Sequence, residues 1–192
     1  MGVFNQVTSD ELDHIQINAG MLLNSFDPDS PAAPTAANII SATTGGITAS
    51  CVATYEDFGA DIDNCPNNTK EMKRITGWEC TFAATLLDMT EETFKLTLGA
   101  AIKTAATSEH PATVEPRAQV AIQDFADIWF VSEKVNDKIV AIKLKNALST
   151  GGFSYKTQKN GKGQLAATFT GHVPISDPDD VPMKFFICDA PE

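Results

Sequence analysis

ITGWECTFAATLLD, residues 75–88, alternates apolar side chains with small or polar ones from Trp78 to Leu86. Successive side chains of a β-strand point to opposite faces, so this period of two predicts a strand with one face in a core. The side chains on the other face are small, hydroxylated or acidic. The core face comprises Trp78, Cys80, Phe82, Ala84 and Leu86, and the opposite face comprises Glu79, Thr81, Ala83 and Thr85.

The preceding segment, ATTGGITASCVATYEDF (42–58), has the same period and predicts a second strand. The segment EDFGADIDNCPNNTKEMK between the two strands is too polar and too rich in turn-forming residues for a tight hairpin. It predicts a long loop over residues 57–71, of a kind that often carries function. The second strand has Ile47, Ala49, Cys51, Ala53 and Tyr55 on the apolar face and Thr48, Ser50, Val52, Thr54 and Glu56 on the other.

One segment, DMTEETFKLTLGAAI, predicts an α-helix over about residues 90–102. Asp88 or Thr90 is suited to cap its amino end, where acidic residues also favour the helix dipole. Phe94, Leu98 and Ala101 fall on one stripe, which we expect to pack on a sheet.

DIWFVSEKVNDKIVAIKLKN (127–146) predicts a β-hairpin that turns at Asn136-Asp137. In that register Trp129 and Val131 share a face with Val140, Ile142 and Leu144. Trp78 and Trp129 both lie in apolar alternation and are predicted to be core residues. A final strand is predicted over VPMKFFI, residues 181–187.

About six strands and one helix, without an internal repeat, predict a mainly β fold. We expect an antiparallel β-sandwich or partly closed barrel with one flanking α-helix, built as a single domain over residues 1–192. The segment FDPDSPAAPTAAN predicts an extended N-terminal arm or surface loop around residues 19–40.

The glycine- and lysine-rich stretch KNALSTGGFSYKTQKNGKGQLAATFTGH (145–172) resembles a phosphate-binding loop only superficially. A P-loop needs GxxxxGK followed by Ser or Thr at the start of a helix, whereas a strand pattern follows here. A three-residue hairpin loop at Lys159–Gly161, with Gly161 left-handed, would place Tyr155 opposite Leu165 and all large apolar groups on one side. The polar side, suited to solvent or to another subunit, carries Ser154, Lys156, Gln158, Lys162, Gln164 and Thr168.

Composition excludes several classes of function. The net charge of −11 argues against wrapping nucleic acid, which requires cations that neutralise phosphates. The apolar runs are too short to span a membrane, and the amino terminus has no pattern of a secretory signal, so we expect a protein made in a cytoplasm. The four cysteines form no CxxC pair, which favours buried thiols over a disulfide framework or a zinc site.

No catalytic or cofactor motif is apparent. His14, His110 and His172 have no recognisable nucleophile beside them in sequence. The acidic stretches at 27–29 and 177–180 lack the spacing of a calcium loop, which favours solvated carboxylates. We therefore expect no enzyme, metal site or cofactor.

Several segments resemble one known family in order along nearly the whole chain. KNALSTGGFSYKT, GKGQLAATFTGHV and DPDDVPMKFFI resemble the carboxy-terminal half of the major tail tube proteins of long-tailed, non-contractile bacteriophages. Upstream, INAGMLLNSFDP, ISATTGGITAS, ITGWECTFAATLLDMTEETFKLTLGAA, EPRAQ and DIWFV continue the resemblance.

The resemblance implies a virion protein, assembled in the bacterial host cytoplasm, that forms stacked hexameric rings around a channel for DNA. Its partners would be other copies of itself, the tape measure protein, the tail terminator and the distal tail or baseplate proteins, with transient non-specific passage of DNA and no membrane span. Three surfaces follow as hypotheses: a lumen face, a loop that reaches the adjacent ring, and a polar hairpin between subunits. They comprise, respectively, Thr48, Ser50, Thr54, Glu56, Glu79, Thr81 and Thr85; Asp57, Asp61, Asp63, Asn67 and Lys70; and Lys156, Gln158, Gly161, Lys162 and Gln164.

Two other classes of function stay open. A β-sandwich adhesion or carbohydrate-binding module would use exposed aromatic residues or calcium loops. A small hydrolase would depend on one of the three histidines.

Overall fold

Residues 7–190, apart from the side chain of Ser9, are described in the computed structural model. Over this range the chain is mainly β, with two α-helices, α1 (Ser9–Leu12) and α2 (Glu91–Leu98), and single 3₁₀ turns at Lys70–Met72 and Ile122–Asp124. The strands are β1 (Gln16–Leu23), β2 (Ile39–Ser41), β3 (Thr43–Asp57), β4 (Lys73–Leu86), β5 (Ala101–Thr104), β6 (Thr113–Pro116), β7 (Ala126–Lys134), β8 (Lys138–Ser149), β9 (Ser154–Lys156), β10 (Gln164–Thr170) and β11 (Met183–Asp189).

Nine of these strands form one antiparallel sheet in the order β2-β1-β7-β8-β10-β4-β3, with β11 paired to β8 and β9 paired to β10. β8 joins the two halves, because it pairs with β7 and β11 along most of its length and with β10 at Leu148 and Ser149. Within residues 7–190 the path ends at β2 and β3, so the sheet is not closed into a barrel. The expected sandwich is confirmed.

The core lies between the inner faces of the two halves. Phe82 of β4 and Phe169 of β10 are directly paired and fully buried, as are Leu86 and Leu165. The β1-β7-β8-β11 half faces them with Leu22, Ile128, Phe130, Leu144 and Met183. Paired residues of an antiparallel sheet share a face, so the alternation first seen in residues 75–88 forms one wall of the core.

The arm expected at residues 19–40 is shorter than predicted, because residues 16–23 form β1 and residues 39–41 form β2. Leu22 lies in the main core, whereas Leu23 lies on the opposite face in a second cluster with Trp129 and Phe26. Both faces are covered at Leu22 and Leu23, so this end of the strand carries adjacent apolar residues and shows no alternation. Trp129 is buried, as predicted.

Helix α2 begins as predicted but ends earlier. The Thr90 hydroxyl accepts a hydrogen bond from the Thr93 amide and forms a capping box. The helix stops before Gly99, whose φ is 74°, and Ala101 belongs to β5, so the expected extent to residue 102 is wrong.

The face of α2 that packs on the sheet also differs from the predicted stripe of Phe94, Leu98 and Ala101. Thr93 and Thr97 are the buried residues of the helix. The Thr97 hydroxyl donates to the Thr93 carbonyl oxygen at 2.8 Å, so burying it leaves no unsatisfied polar group. The Ser149 hydroxyl donates to the Thr97 carbonyl oxygen at 2.7 Å and joins the helix end to β8.

The β7-β8 hairpin turns through three residues, not two. Phe130 pairs with Ile142, and Val131 pairs with Ala141, so the predicted register, which grouped Trp129 and Val131 with Val140, Ile142 and Leu144, is wrong. Asp137 takes the left-handed conformation, with φ 58°. A shift of one residue exchanges the two faces of a strand, which explains the error.

The β9-β10 hairpin has the predicted pairing of Tyr155 with Leu165, but the ladder ends at Lys156 and Gln164, so residues 157–163 connect the strands and the predicted three-residue loop is wrong. The left-handed residue of its turn is Asn160, with φ 57°, and not Gly161. Asparagine tolerates this conformation better than most residues, and Gly161 closes the turn by donating its amide to the Gln158 carbonyl oxygen. A further hairpin, β5-β6, is absent from the predicted elements, and its first two residues, Ala101 and Ile102, lie within the range predicted as helix.

Removing the Phe169 ring should destabilise the protein more than removing an exposed ring of the same size. Phe169→Ala should lower the free energy of unfolding by about 3–5 kcal/mol, because it leaves a cavity in the core. Urea denaturation of monomeric protein measures the loss. Phe185→Ala, at a side chain that is 61% exposed, is the control and should cost less than about 1 kcal/mol. Equal losses would contradict the described core.

Candidate interaction surfaces

The outer face of β3, β4 and β10 is built largely from hydroxyl side chains. Ser50, Thr81 and Thr170 are aligned in one row across the three strands, and Thr48, Ala83 and Thr168 form the next row. The pairing that buries Phe82 and Phe169 on one side requires these residues to point to the other. We call this surface the hydroxyl face; it comprises Thr44, Thr48, Ser50, Thr54, Thr81, Thr85, Thr168 and Thr170.

All seven residues predicted to face a lumen lie on this side of the sheet. Thr48, Thr54, Glu56 and Glu79 are exposed. The three other predicted residues, Ser50, Thr81 and Thr85, are half-buried by their neighbours in the sheet. The register brings these residues together, and their exposure leaves the face accessible in the single chain.

The charges next to the hydroxyl face are few. Glu79 is paired with Val52, and Glu56 is paired with Arg74. The Arg74 guanidinium lies over the Phe58 ring, 4.7 Å from its centroid. Lys156 on β9 and Gln164 on β10 lie on the same side of the sheet. This surface therefore carries few charges, and they are of both signs.

Residues 52–78 of the β3-β4 hairpin extend beyond the core, and we call them the projecting hairpin. The last core pair is Cys51 and Cys80, and between these two residues Gly59 is the one buried residue. β3 and β4 have 15 and 14 residues, far longer than the ordinary strand of about 5–6 residues. Within residues 7–190, their distal halves therefore bury no side chain against a second layer of the fold.

The projecting hairpin has an apolar underside that continues the core face. Tyr55 pairs with Ile75, and Ala53 pairs with Trp78, all on the side that faces the core farther along the strands. Tyr55, Ile75 and Trp78 are 62%, 49% and 40% exposed. The prediction that Trp78 is a core residue is therefore wrong, because alternation identifies a face of the strand but not where the opposing sheet ends.

Sequence reasoning missed this underside as a surface, although a signal was present. The two alternating segments that form β3 and β4 are longer than one small core requires. Some of their apolar positions must therefore lie outside the core. Contiguous exposed apolar residues on a monomer mark an interaction site.

The loop at the tip of the projecting hairpin covers residues 58–72, close to the predicted 57–71. The carboxylate of Asp57 closes it by accepting hydrogen bonds from the amides of Gly59, at 3.0 Å, and Asn68, at 2.9 Å. These bonds, and to a smaller extent the charge of Lys73, hold the pKa of Asp57 below its ordinary value. Asp57 thus stabilises the loop internally, whereas Asp61, Asp63, Asn67 and Lys70 are exposed.

The predicted polar hairpin lies at the opposite end of β10 from Thr170. Lys156 pairs with Gln164, and Lys162, Gln158 and Gly161 are exposed around the turn. Tyr155 lies close over Gly163, where an added Cβ would come within 2.3 Å of its hydroxyl oxygen. Gly163 is therefore required for close packing, and no anion-binding helix end accompanies these glycines.

Residues suited to catalysis or metal binding are dispersed. His14 and His110 are exposed, and the His172 ring contacts Phe125 and the Asn146 carbonyl oxygen. Among residues 7–190 no group of three His, Cys, Asp or Glu side chains is placed to hold a metal ion. Of the acidic stretches, Asp27 accepts a hydrogen bond from the Asp29 amide, and Asp180 pairs with Lys145 at 2.6 Å.

The cysteines divide into one close pair and two separate thiols. Cys51 and Cys80 are directly paired, with 3.1 Å between their sulfur atoms. Cys80 is buried, as predicted, whereas Cys51, Cys65 and Cys188 are half-buried.

The best-formed cavity, about 350 Å³, lies where the segment 24–38 covers β1 and β7. Leu23, Phe26, Pro34, Val131 and Ile139 line it, so it is a gap beside the second apolar cluster and not a convergence of polar groups. None of the helices in the described part of the chain is both long and apolar enough to cross a membrane.

No protein-family model matches this sequence, and a search of curated proteins finds no significant match. Function is therefore argued from the surfaces of the chain itself.

Acid should open the loop of the projecting hairpin. Folding lowers the pKa of Asp57 from its ordinary value of 3.8. The stability that its carboxylate gives the loop is therefore fully present above that pH and is lost as the pH falls through the lower folded pKa. Asp57→Ala should remove the same contribution at neutral pH. Hydrogen exchange of residues 58–69 measures both effects, and Asp61→Ala is the control. Unchanged exchange in Asp57→Ala would contradict this role.

Proposed function

We propose that the protein is a structural subunit that assembles into stacked rings, as the tail tube proteins it resembles do, and that DNA passes through the resulting channel. It would act as a non-enzymatic virion protein whose main partner is another copy of itself.

The observation that carries the proposal is the apolar underside of the projecting hairpin. Tyr55, Ile75 and Trp78 expose apolar surface that none of residues 7–190 covers, on strands whose hydrogen-bonded ladder continues to Asp57. A second copy that packed against this underside would bury these side chains as the sandwich buries Phe82. Rings repeat one such contact between identical subunits.

Exposed sheet edges support assembly as well. β11 pairs only with β8 among the described strands, and β3 lies at one end of the sheet path, opposite β2. An unpaired edge offers backbone donors and acceptors to a neighbouring strand. In a ring, the sheet of one subunit can continue into the next.

The hydroxyl face supports a channel lining. Small hydroxyl groups remain hydrated and offer no row of cations to the phosphates of passing DNA. The acidic Glu56 and Glu79 beside them repel phosphate. A lining of this kind permits passage without retention.

A carbohydrate-binding module is the second candidate, and the exposed Tyr55 and Trp78 favour it, because aromatic rings stack on sugars. The two functions predict different oligomeric states. Negative-stain microscopy and size-exclusion chromatography of the concentrated protein separate them: rings or tubes support the structural subunit, whereas a monomer that binds glycans supports the module.

Tyr55→Ser with Trp78→Ser should abolish assembly. Both side chains are largely exposed in the single chain, so the variant should remain folded but elute as a monomer. Ile122→Ser with Ile175→Ser, at side chains that are 91% and 101% exposed and lie outside the projecting hairpin, is the matched control and should still assemble. Normal tubes from the Tyr55 and Trp78 variant would overturn the proposed interface.

Reversing the charge at the hydroxyl face should slow DNA passage without preventing assembly. Glu56→Lys with Glu79→Lys would place cations next to the channel, where they attract phosphates in a salt-dependent manner. The kinetics of DNA ejection from particles that carry the variant measure the effect. Glu109→Lys with Glu115→Lys makes the same change in net charge at exposed positions elsewhere and should eject normally. Equal ejection by both variants would exclude this face from the lumen.

A further inference from the structure

Cys51 and Cys80 lie at the point where the β3-β4 hairpin leaves the core. They are directly opposite in the two strands, and 3.1 Å separates their sulfur atoms. Directly opposite residues of an antiparallel pair have Cα atoms about 4.5–5.5 Å apart. Disulfides join Cα atoms about 4.4–6.8 Å apart, so the backbone already permits the bond.

We propose that Cys51 and Cys80 are an oxidisable pair that forms a cross-strand disulfide when the protein meets an oxidising thiol-disulfide environment. The pair remains reduced in a cytoplasm, where thiols are kept reduced, and closes outside it. The chemistry depends on the two side chains alone and not on the proposed assembly.

The reaction begins at Cys51, because this thiol is half-buried and Cys80 is fully buried. The Cys51 thiolate attacks one sulfur of a small disulfide such as oxidised glutathione, whose S–S bond breaks and releases one thiolate. Cys80 then loses its proton to solvent and attacks the Cys51 sulfur, which expels the second thiolate. The two protein thiols lose two electrons and two protons, and the small disulfide is reduced to two thiols.

The environment of Cys80 determines which of the two thiols reacts first. Burial, and then the hydrogen bond with Cys51, raise the pKa of the Cys80 thiol to about 12, so at neutral pH it is protonated and does not start a reaction itself. It acts once a mixed disulfide on Cys51 places an electrophilic sulfur beside it. Cys65 and Cys188 make no such sulfur–sulfur contact, so neither has a partner cysteine placed for a disulfide within the chain.

The bond would close the projecting hairpin at its base, since the two residues are 29 positions apart in the chain. Closing a loop of this length restricts the unfolded state and stabilises the folded one. The core end of the hairpin would then be held covalently while its tip remains free to contact other molecules.

The test compares the full-length protein after incubation with oxidised or with reduced glutathione. Oxidation should remove two hydrogen atoms from the intact mass, give a Cys51–Cys80 cross-linked peptide on proteolysis, and raise Tm by roughly 5 °C or more. Dithiothreitol should reverse all three changes. No cross-link, or glutathione attached only at Cys65 and Cys188, would overturn the proposal.

Matched variants test whether Cys51 and Cys80 cause the cross-link and the rise in Tm. Cys65→Ser with Cys188→Ser removes as many atoms of the same kind as Cys51→Ser with Cys80→Ser, but it should retain the cross-link and the rise in Tm. Cys51→Ser alone should leave the Tm independent of oxidant. A variant that lacks Cys51 yet gains the same Tm on oxidation would also overturn the assignment. Because mass and Tm are measured on the single chain, failure to assemble would leave this result unaffected.

Discussion

The burial of Phe82 against Phe169 is the contact on which the rest of the structure depends. The two rings come from adjacent strands in direct register and are completely excluded from solvent. Their register determines which side of β3, β4 and β10 faces inward, because side chains alternate between the two faces of these strands from Ile47 to Thr54 and along the residues paired with them. The hydroxyl face is the necessary counterpart of that core, and any slip that exposed Phe82 would bury Thr81 instead.

The apolar side of β3 and β4 is buried at one end of the strands and exposed at the other. Near Leu86 and Phe82 the second half of the sheet covers the apolar side, whereas beyond Cys51 and Cys80 the described part of the chain leaves that side exposed. The distal residues have the composition of a core but the exposure of a surface. In the proposed assembly, a neighbouring subunit would cover these residues. The net charge of −11 would make free subunits repel one another.

Polar side chains satisfy backbone groups at the points where the layers meet. Thr97 is buried against the sheet because its hydroxyl bonds to the backbone of its own helix, and Ser149 bonds to the helix end. Asp57 performs the same task for the loop of the projecting hairpin. None of these residues contributes an apolar signal, so hydrophobic periodicity did not reveal the burial of Thr97 or the internal role of Asp57.

The sequence by itself determined the β class, the two faces of β3 and β4, a helix cap at either Asp88 or Thr90, and the pairing of Tyr155 with Leu165, because local alternation and local hydrogen bonding define each of them. Tertiary structure decided the register of β7 against β8, since one left-handed residue, Asp137, adds a residue to the turn and exchanges the faces. It also decided that Trp78 lies outside the core while Trp129 lies within it. The physical reason is that alternation specifies the direction of a side chain, whereas burial depends on which distant segment packs over it.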